Sequence, residues 1–120
     1  MREDRERLLD IRDAIERIER YSARGRAAFD AEELVQTWIV HPLQIIGEAA
    51  RGLTQPFRLT HPEIPWIQIV GMRNVLVHSY FDLDLDEIWV AVERSVPELK
   101  AQVAVLLAAL ENGCPEPKGA

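Results

Sequence analysis

The sequence predicts an all-α fold, an antiparallel four-helix bundle that becomes five-helix if its last segment divides at a proline. Apolar residues recur at steps of three and four almost from end to end. No segment sustains the period-two alternation of a half-buried strand, and the breaker-rich links between apolar stripes are short, as antiparallel neighbours require. With 120 residues, 48% of them hydrophobic, the chain is sized for one core that needs neither a disulfide nor a metal to fold.

Leu8, Ile11, Ile15 and Ile18 step by 3, 4 and 3 and predict a first helix over about residues 3–23, its other faces filled by Arg, Asp and Glu. Arg24, Gly25 and Arg26 mark its exit, and Asp30 with Glu33 has the spacing of a capping box opening the next helix. There Val35, Ile39, Pro42, Ile46, Ala49 and Leu53 form one stripe through a proline, which predicts a bend at Pro42 rather than a stop. The loop GLTQPFRLTHPEIPW comes next, with Thr60 and Glu63 spaced as a second capping box, and a third helix is predicted from Pro65 to His78. Leu85, Trp89, Val92, Val96, Leu99, Val103, Leu106 and Leu110 then make a stripe across Pro97. It fits one kinked helix or two collinear ones, with Ser95 and Glu98 as a third capping box. Residues 1–112 are expected to form the single domain and 113–120 a disordered tail.

The net charge of −6 lies almost wholly in the second half: residues 1–60 carry 10 basic and 11 acidic side chains, residues 61–120 carry 4 and 9. Long-range attraction of a polyanion is therefore excluded, and any phosphate must be met locally. Twelve of the fourteen cations are Arg, which suits bidentate pairing with carboxylate or phosphate. The lone Cys114 has no internal partner, and the charged start MREDRERLLDIRD does not read as a signal peptide, so a reducing, cytoplasmic setting is expected. No apolar run approaches the ~20 residues of a membrane span.

The densest set of polar groups interrupting an apolar helix is Arg73, Asn74, His78 and Tyr80 in GMRNVLVHSYFDLDLDE. On an ideal helix Arg73 and Tyr80 share a face, whereas His78 lies five positions on from Arg73, about 140° away. For Arg73 and His78 to serve one site the helix must end near His78 or a second chain must complete it; Asp82, Asp84 and Asp86 are good caps for a new helix starting beyond such a break. Such a set could cleave a phosphodiester without metal. Imidazole exchanges a proton with a ribose 2′-hydroxyl or a leaving 5′-oxygen, guanidinium stabilises the pentacoordinate phosphorus, Asn orients either, and Tyr stacks on a base. The structural alternative is that Arg73 pairs with an acid, His78 caps a helix end and Tyr80 packs.

The segments LLDIRDAIERIERY, IIGEAARGL, HPEIPWIQIVGMRNVLVHSYFDLDLDEIW and VPELKAQV, in that order, resemble a HepT-like protein of the HEPN superfamily over nearly the whole chain. The most specific element is Arg73-Asn74-x-x-x-His78-x-Tyr80, an R-x4-H-x-Y motif preceded by Pro65-Trp66 and Gly71-Met72. The resemblance implies the toxin of a type VII-like toxin–antitoxin pair: a metal-independent endoribonuclease acting as a homodimer on RNA, without cofactor. It also implies a cognate minimal nucleotidyltransferase (MNT-type) antitoxin that adenylylates the tyrosine matching Tyr80, placing bulk and a phosphate charge beside Arg73. One departure is His41-Pro42, which stands where the pattern often shows Arg-Asn.

Other candidates are poorer. Asp82, Asp84, Asp86 and Glu93 occupy EF-hand positions 1, 3, 5 and 12, but position 6 is Glu87 instead of the glycine the turn needs. His41, His61, His78 and Cys114 lack the paired short spacings of a zinc site, so no metal is expected. Trp38, Trp66 and Trp89 fall on or beside the apolar stripes and are expected as core or interface anchors rather than as a base-stacking platform. The acidic second half leaves one competing reading, a non-catalytic helical module that dimerises and binds a nucleotidyltransferase.

Overall fold

A computed structural model describes residues 2–78 and 84–111, without the side chains of residues 2, 3, 75, 77 and 78. Tyr80, Asp82, Cys114 and the expected tail lie outside the described residues, as does the His78 side chain. The described residues form helices and no strand: α1 Arg2–Ser22, α2 Arg26–Ala31, α3 Glu33–Gly52, α4 Gln55–Thr60, α5 Trp66–His78, α6 Leu85–Val90 and α7 Val96–Glu111, with a π-helical turn at Ala91–Ser95 joining the last two. Four long segments make the bundle, and the short α2 and α4 fill two of its corners.

The antiparallel packing is read from contacts at both ends of each pair. Asp4 at the start of α1 accepts from Thr54 N–H and Oγ1–H beyond the end of α3, at 2.9 and 2.8 Å, while Tyr21 at the other end of α1 lies against Trp38 near the start of α3. Likewise Arg5 reaches Glu111 at 3.3 Å and Lys100 reaches Glu19 at 2.8 Å, which fixes α7 antiparallel to α1.

The apolar stripes become the core as predicted. Leu8, Ile11, Ile15 and Ile18 of α1, Val35, Ile39, Pro42, Ile46 and Ala49 of α3, and Val92, Val96, Leu99, Val103 and Leu106 of the last segment are all buried. Each such side chain contributes ~1.5–3 kcal/mol of transfer free energy, so the stripe, more than helix propensity, holds the element in place. No buried polar or charged residue occurs among the described residues.

Three of the differences from expectation are cap chemistry, and the others are the short helices α2 and α4. Asp30 opens no helix; it accepts from Arg26 Nε at 2.9 Å across one turn of α2, and Gln36 donates to the Phe29 and Asp30 carbonyls instead. Thr60 ends α4 and donates to Pro56 O at 2.8 Å, while the N-cap that does form is Thr54, accepting from Phe57 N–H. Ser95 lies inside a continuous helical run, where Val96 N–H bonds to Ala91 O five residues back. Pro97 brings no amide for the carbonyl four residues before it, and one wide turn carries the chain through. The short α2 is the element the periodicity misses: Phe29 is fully buried and its ring sits 5.2 Å from that of Trp89. Arg26 also reaches Asp86 on α6, and these two carboxylates, Asp30 first, raise its pKa above the usual arginine value.

Helices α3 and α5 approach closely at Gly47. A Cβ built on Gly47 would lie 2.2 Å from Arg73 Cβ and 3.2 Å from Arg73 Cα. Alanine would gain up to ~1 kcal/mol of helix propensity, but overpacking against backbone costs ~1–3 kcal/mol. Gly47→Ala is therefore expected to lower unfolding stability by about 1–2 kcal/mol in a urea titration and to lower Tm by roughly 5 °C or more.

Candidate functional site

Arg73 is placed by the backbone contact just described. Because α3 presents no side chain at Gly47, α5 lies directly on it, and the Arg73 stem leaves the interface with only 24% of its side chain exposed. The next residue of α3, Glu48, meets it: Glu48 Oε1 is 2.8 Å from Arg73 Nε. Arg73 Nη1 donates to Asn74 Oδ1 at 3.1 Å, and Nη2 makes no hydrogen bond among the described residues. Glu48 also stands 3.8 Å from Arg51 Nη1, so its charge is shared by two cations.

The guanidinium is thus held at its inner nitrogen and by one neighbour, with an outer nitrogen left for an anion. A fixed fork of this kind suits phosphate better than a free side chain, because the orientation is already set when the ligand arrives. Asn74 is exposed on the same turn. The structural alternative for Arg73, pairing with an acid, is realised, and that acid fixes the direction of the guanidinium.

Helix α5 is described from Trp66, one residue past its expected start, to His78, beyond which residues 79–83 lie outside the described residues. The geometry of the His78 and Tyr80 side chains lies outside the described residues. Beyond the gap Asp84 caps α6, its Oδ1 accepting from the Asp86 and Glu87 amides at 3.0 and 3.3 Å, so the aspartate run serves a helix start. Among the described residues no group of three His, Cys, Asp or Glu could hold a metal ion. His61 belongs to the α4–α5 loop as expected, with its ring 4.6 Å from that of Phe57.

Gly47 and Glu48 carry a signal that motif and periodicity alone do not assign. A glycine in the middle of a long apolar stripe marks a close backbone approach, and the following acid is the natural partner of whatever cation arrives there. The tryptophans divide: Trp66 and Trp89 are buried, the former donating Nε1–H to His61 O at 3.0 Å, whereas Trp38 is 37% exposed. Of the two places expected for Trp38, core or interface, the structure excludes the core. Its apolar stripe is covered by Val35 and Ile39, which leaves the ring at the rim.

A family profile described as "Ribonuclease HepT-like" matches residues 11–106. The chain is 35% identical over 102 residues to a probable ribonuclease HepT of Thermococcus cleftensis, covering 84% of this chain and 93% of that protein. It is 36% identical over 78 residues to a putative RNase of Methanocaldococcus jannaschii, covering 65% and 72% of the two chains. A putative RNase of Caldanaerobacter subterraneus subsp. tengcongensis is 37% identical over 90 residues, 75% of this chain and 80% of that one. No solved structure matches the chain at comparable significance. A profile match across most of the sequence, with relatives at about 35% identity and an all-helical bundle, places this chain in the HepT-like ribonuclease family.

Proposed function

We propose that the chain is a metal-independent endoribonuclease and the toxin component of a type VII-like toxin–antitoxin pair. The observation that carries the reading is the orientation of Arg73: an ion pair with Glu48 at 2.8 Å and an outer guanidinium nitrogen left for phosphate, about one and a half turns before His78. Family membership and the relatives' names support RNA as the substrate.

In this reading the His78 imidazole takes the proton of a ribose 2′-hydroxyl, the 2′-oxygen attacks phosphorus, and the 5′-oxygen leaves with a proton returned by a protonated imidazole. Arg73 stabilises the charge that grows on the non-bridging oxygens, and Asn74 holds Arg73 or the substrate. Tyr80, two residues after His78 in the sequence, contacts the substrate and is the site at which a cognate nucleotidyltransferase transfers adenylate, blocking the phosphate's place beside Arg73.

The homodimer of this reading has support on α5. Ile67 is 86% exposed, a Cβ built on Gly71 would meet nothing within 4 Å outside its own helix, and Asn74 is exposed. Positions 67, 71 and 74 make one stripe whose register reaches position 78, so a second copy packed on it would bring two motifs together.

Three outcomes test the proposal. The parent protein should cleave single-stranded RNA undiminished in EDTA, and His78→Ala or Arg73→Ala should each reduce the rate by 10²-fold or more; full activity in His78→Ala removes the assigned acid–base role. Glu48→Gln should slow cleavage roughly tenfold through kcat. It should shift unfolding stability by less than ~1 kcal/mol, because the pair is partly exposed. Ile67→Glu should convert a dimer to a monomer in light scattering and lower the cleavage rate with it.

A further inference from the structure

A second cluster lies away from Arg73, in a cleft of about 240 Å³ between the C-terminal half of α1 and the N-terminal half of α3. Arg17, Arg20 and Tyr21 line it from α1, and Thr37, Trp38 and His41 from α3. The Tyr21 and Trp38 rings sit 4.9 Å apart at 35°, forming a partly open aromatic ledge. Arg17 and Arg20 are exposed one turn apart, and neither has a hydrogen bond or ion pair among the described residues.

Much of the competing negative charge nearby is already engaged. Glu19 is held by Lys100 at 2.8 Å, Asp13 by Arg12 at 3.3 Å and Glu32 by Arg24 at 3.6 Å. Glu16, next to Arg17, makes no ion pair with either arginine among the described residues. On a chain of net charge −6, two unpaired guanidinium groups beside stacked aromatic rings are a local anion site with an apolar face attached.

We propose that this cleft is a second RNA-binding site, taking one nucleotide of a single strand, with its phosphate between Arg17 and Arg20 and its base against Trp38. A flat ring that is partly exposed and already stiffened by a stacked neighbour offers a base its π-face, which a paired duplex would not present. Thr37 and His41 add groups that hydrogen-bond phosphate or sugar. An acidic peptide would use the two arginines and leave the aromatic ledge idle, so the nucleotide is the better match to the whole cleft. The site also lies on the way to Arg73. His41 and Glu48 are seven positions apart on α3, so they share a face roughly 10 Å apart along the axis, and a strand seated in the cleft can continue to the Glu48–Arg73 pair.

The inference rests on the RNA-directed reading above, and its test separates the two. The probe is a fluorescent 12-nucleotide oligouridylate methylated at every 2′-oxygen, which no 2′-hydroxyl attack can cleave, followed by anisotropy with the full chain. The parent should bind it. Arg17→Ala/Arg20→Ala should weaken binding at least tenfold and flatten the slope of log affinity against log salt by about 0.7, the share of one phosphate. Trp38→Ala should weaken binding about tenfold or more, with Trp38→Phe restoring most of it. With unmodified RNA the double arginine variant should raise KM and leave kcat in place. Unchanged affinity and salt slope in the double variant, no binding by the parent, or displacement by oligoglutamate as readily as by RNA would each overturn the second site. Binding that behaves as expected in a protein that cleaves nothing would strike the nuclease reading alone.

Discussion

The close approach of α5 to α3 at Gly47 is the constraint on which the rest of the structure depends. A side chain there would collide with the Cα and Cβ of Arg73, so the two helices can sit this near only because one residue contributes nothing. The contact does two things at once. It closes the bundle over the apolar stripe of α3, and it sets the height at which Arg73 leaves the interface, one residue along from Glu48. The orientation of the guanidinium is therefore a property of backbone packing, with the ion pair as its last increment. An exposed pair of this kind adds little to stability, and its use here is geometric.

The electrostatics obey the same logic of placement. The chain is acidic overall, so it does not gather a polyanion from a distance. Several of its arginines are tied to carboxylates: Arg5, Arg12, Arg24, Arg26 and Arg51 all have acidic partners. Arg73 keeps one nitrogen unengaged, and Arg17 and Arg20 keep their whole head groups. The pattern that the sequence resembles often has an Arg-Asn pair where this chain has His41-Pro42, and the cation missing from α3 is met by two from α1 across the same cleft. Recognition by a few placed guanidinium groups, without a broad basic surface, gives contacts that depend on where a strand lies.

The long helices are legible in the sequence because burial leaves a period there: every predicted stripe residue of α1 and α3 is buried, and α5 begins one residue from its expected start. The short helices are not, since six residues of α2 or α4 are too few to show a period, and α2 buries one large side chain, Phe29, against Trp89. Capping boxes are the least dependable signal. Asp30, Thr60 and Ser95 all have the right spacing, yet each side chain or backbone finds another arrangement, because a cap is worth about 1 kcal/mol and yields to packing. Residue type and motif single out Arg73 but not its partner, because nothing local to GMRN points to an acid 25 positions upstream. The rim position of Trp38 is hidden for a related reason: a stripe gives the buried face of a helix and not its edge.

The central claim, that Glu48 acts only through Arg73, is tested most directly by a double-mutant cycle on RNA cleavage. Glu48→Gln is measured in the parent and again with Arg73→Lys in place, which keeps the charge and loses the fork. The account predicts a clear loss from Glu48→Gln in the parent and almost none in the Arg73→Lys background. An equal loss in both would contradict it, since Glu48 would then act without the arginine it holds.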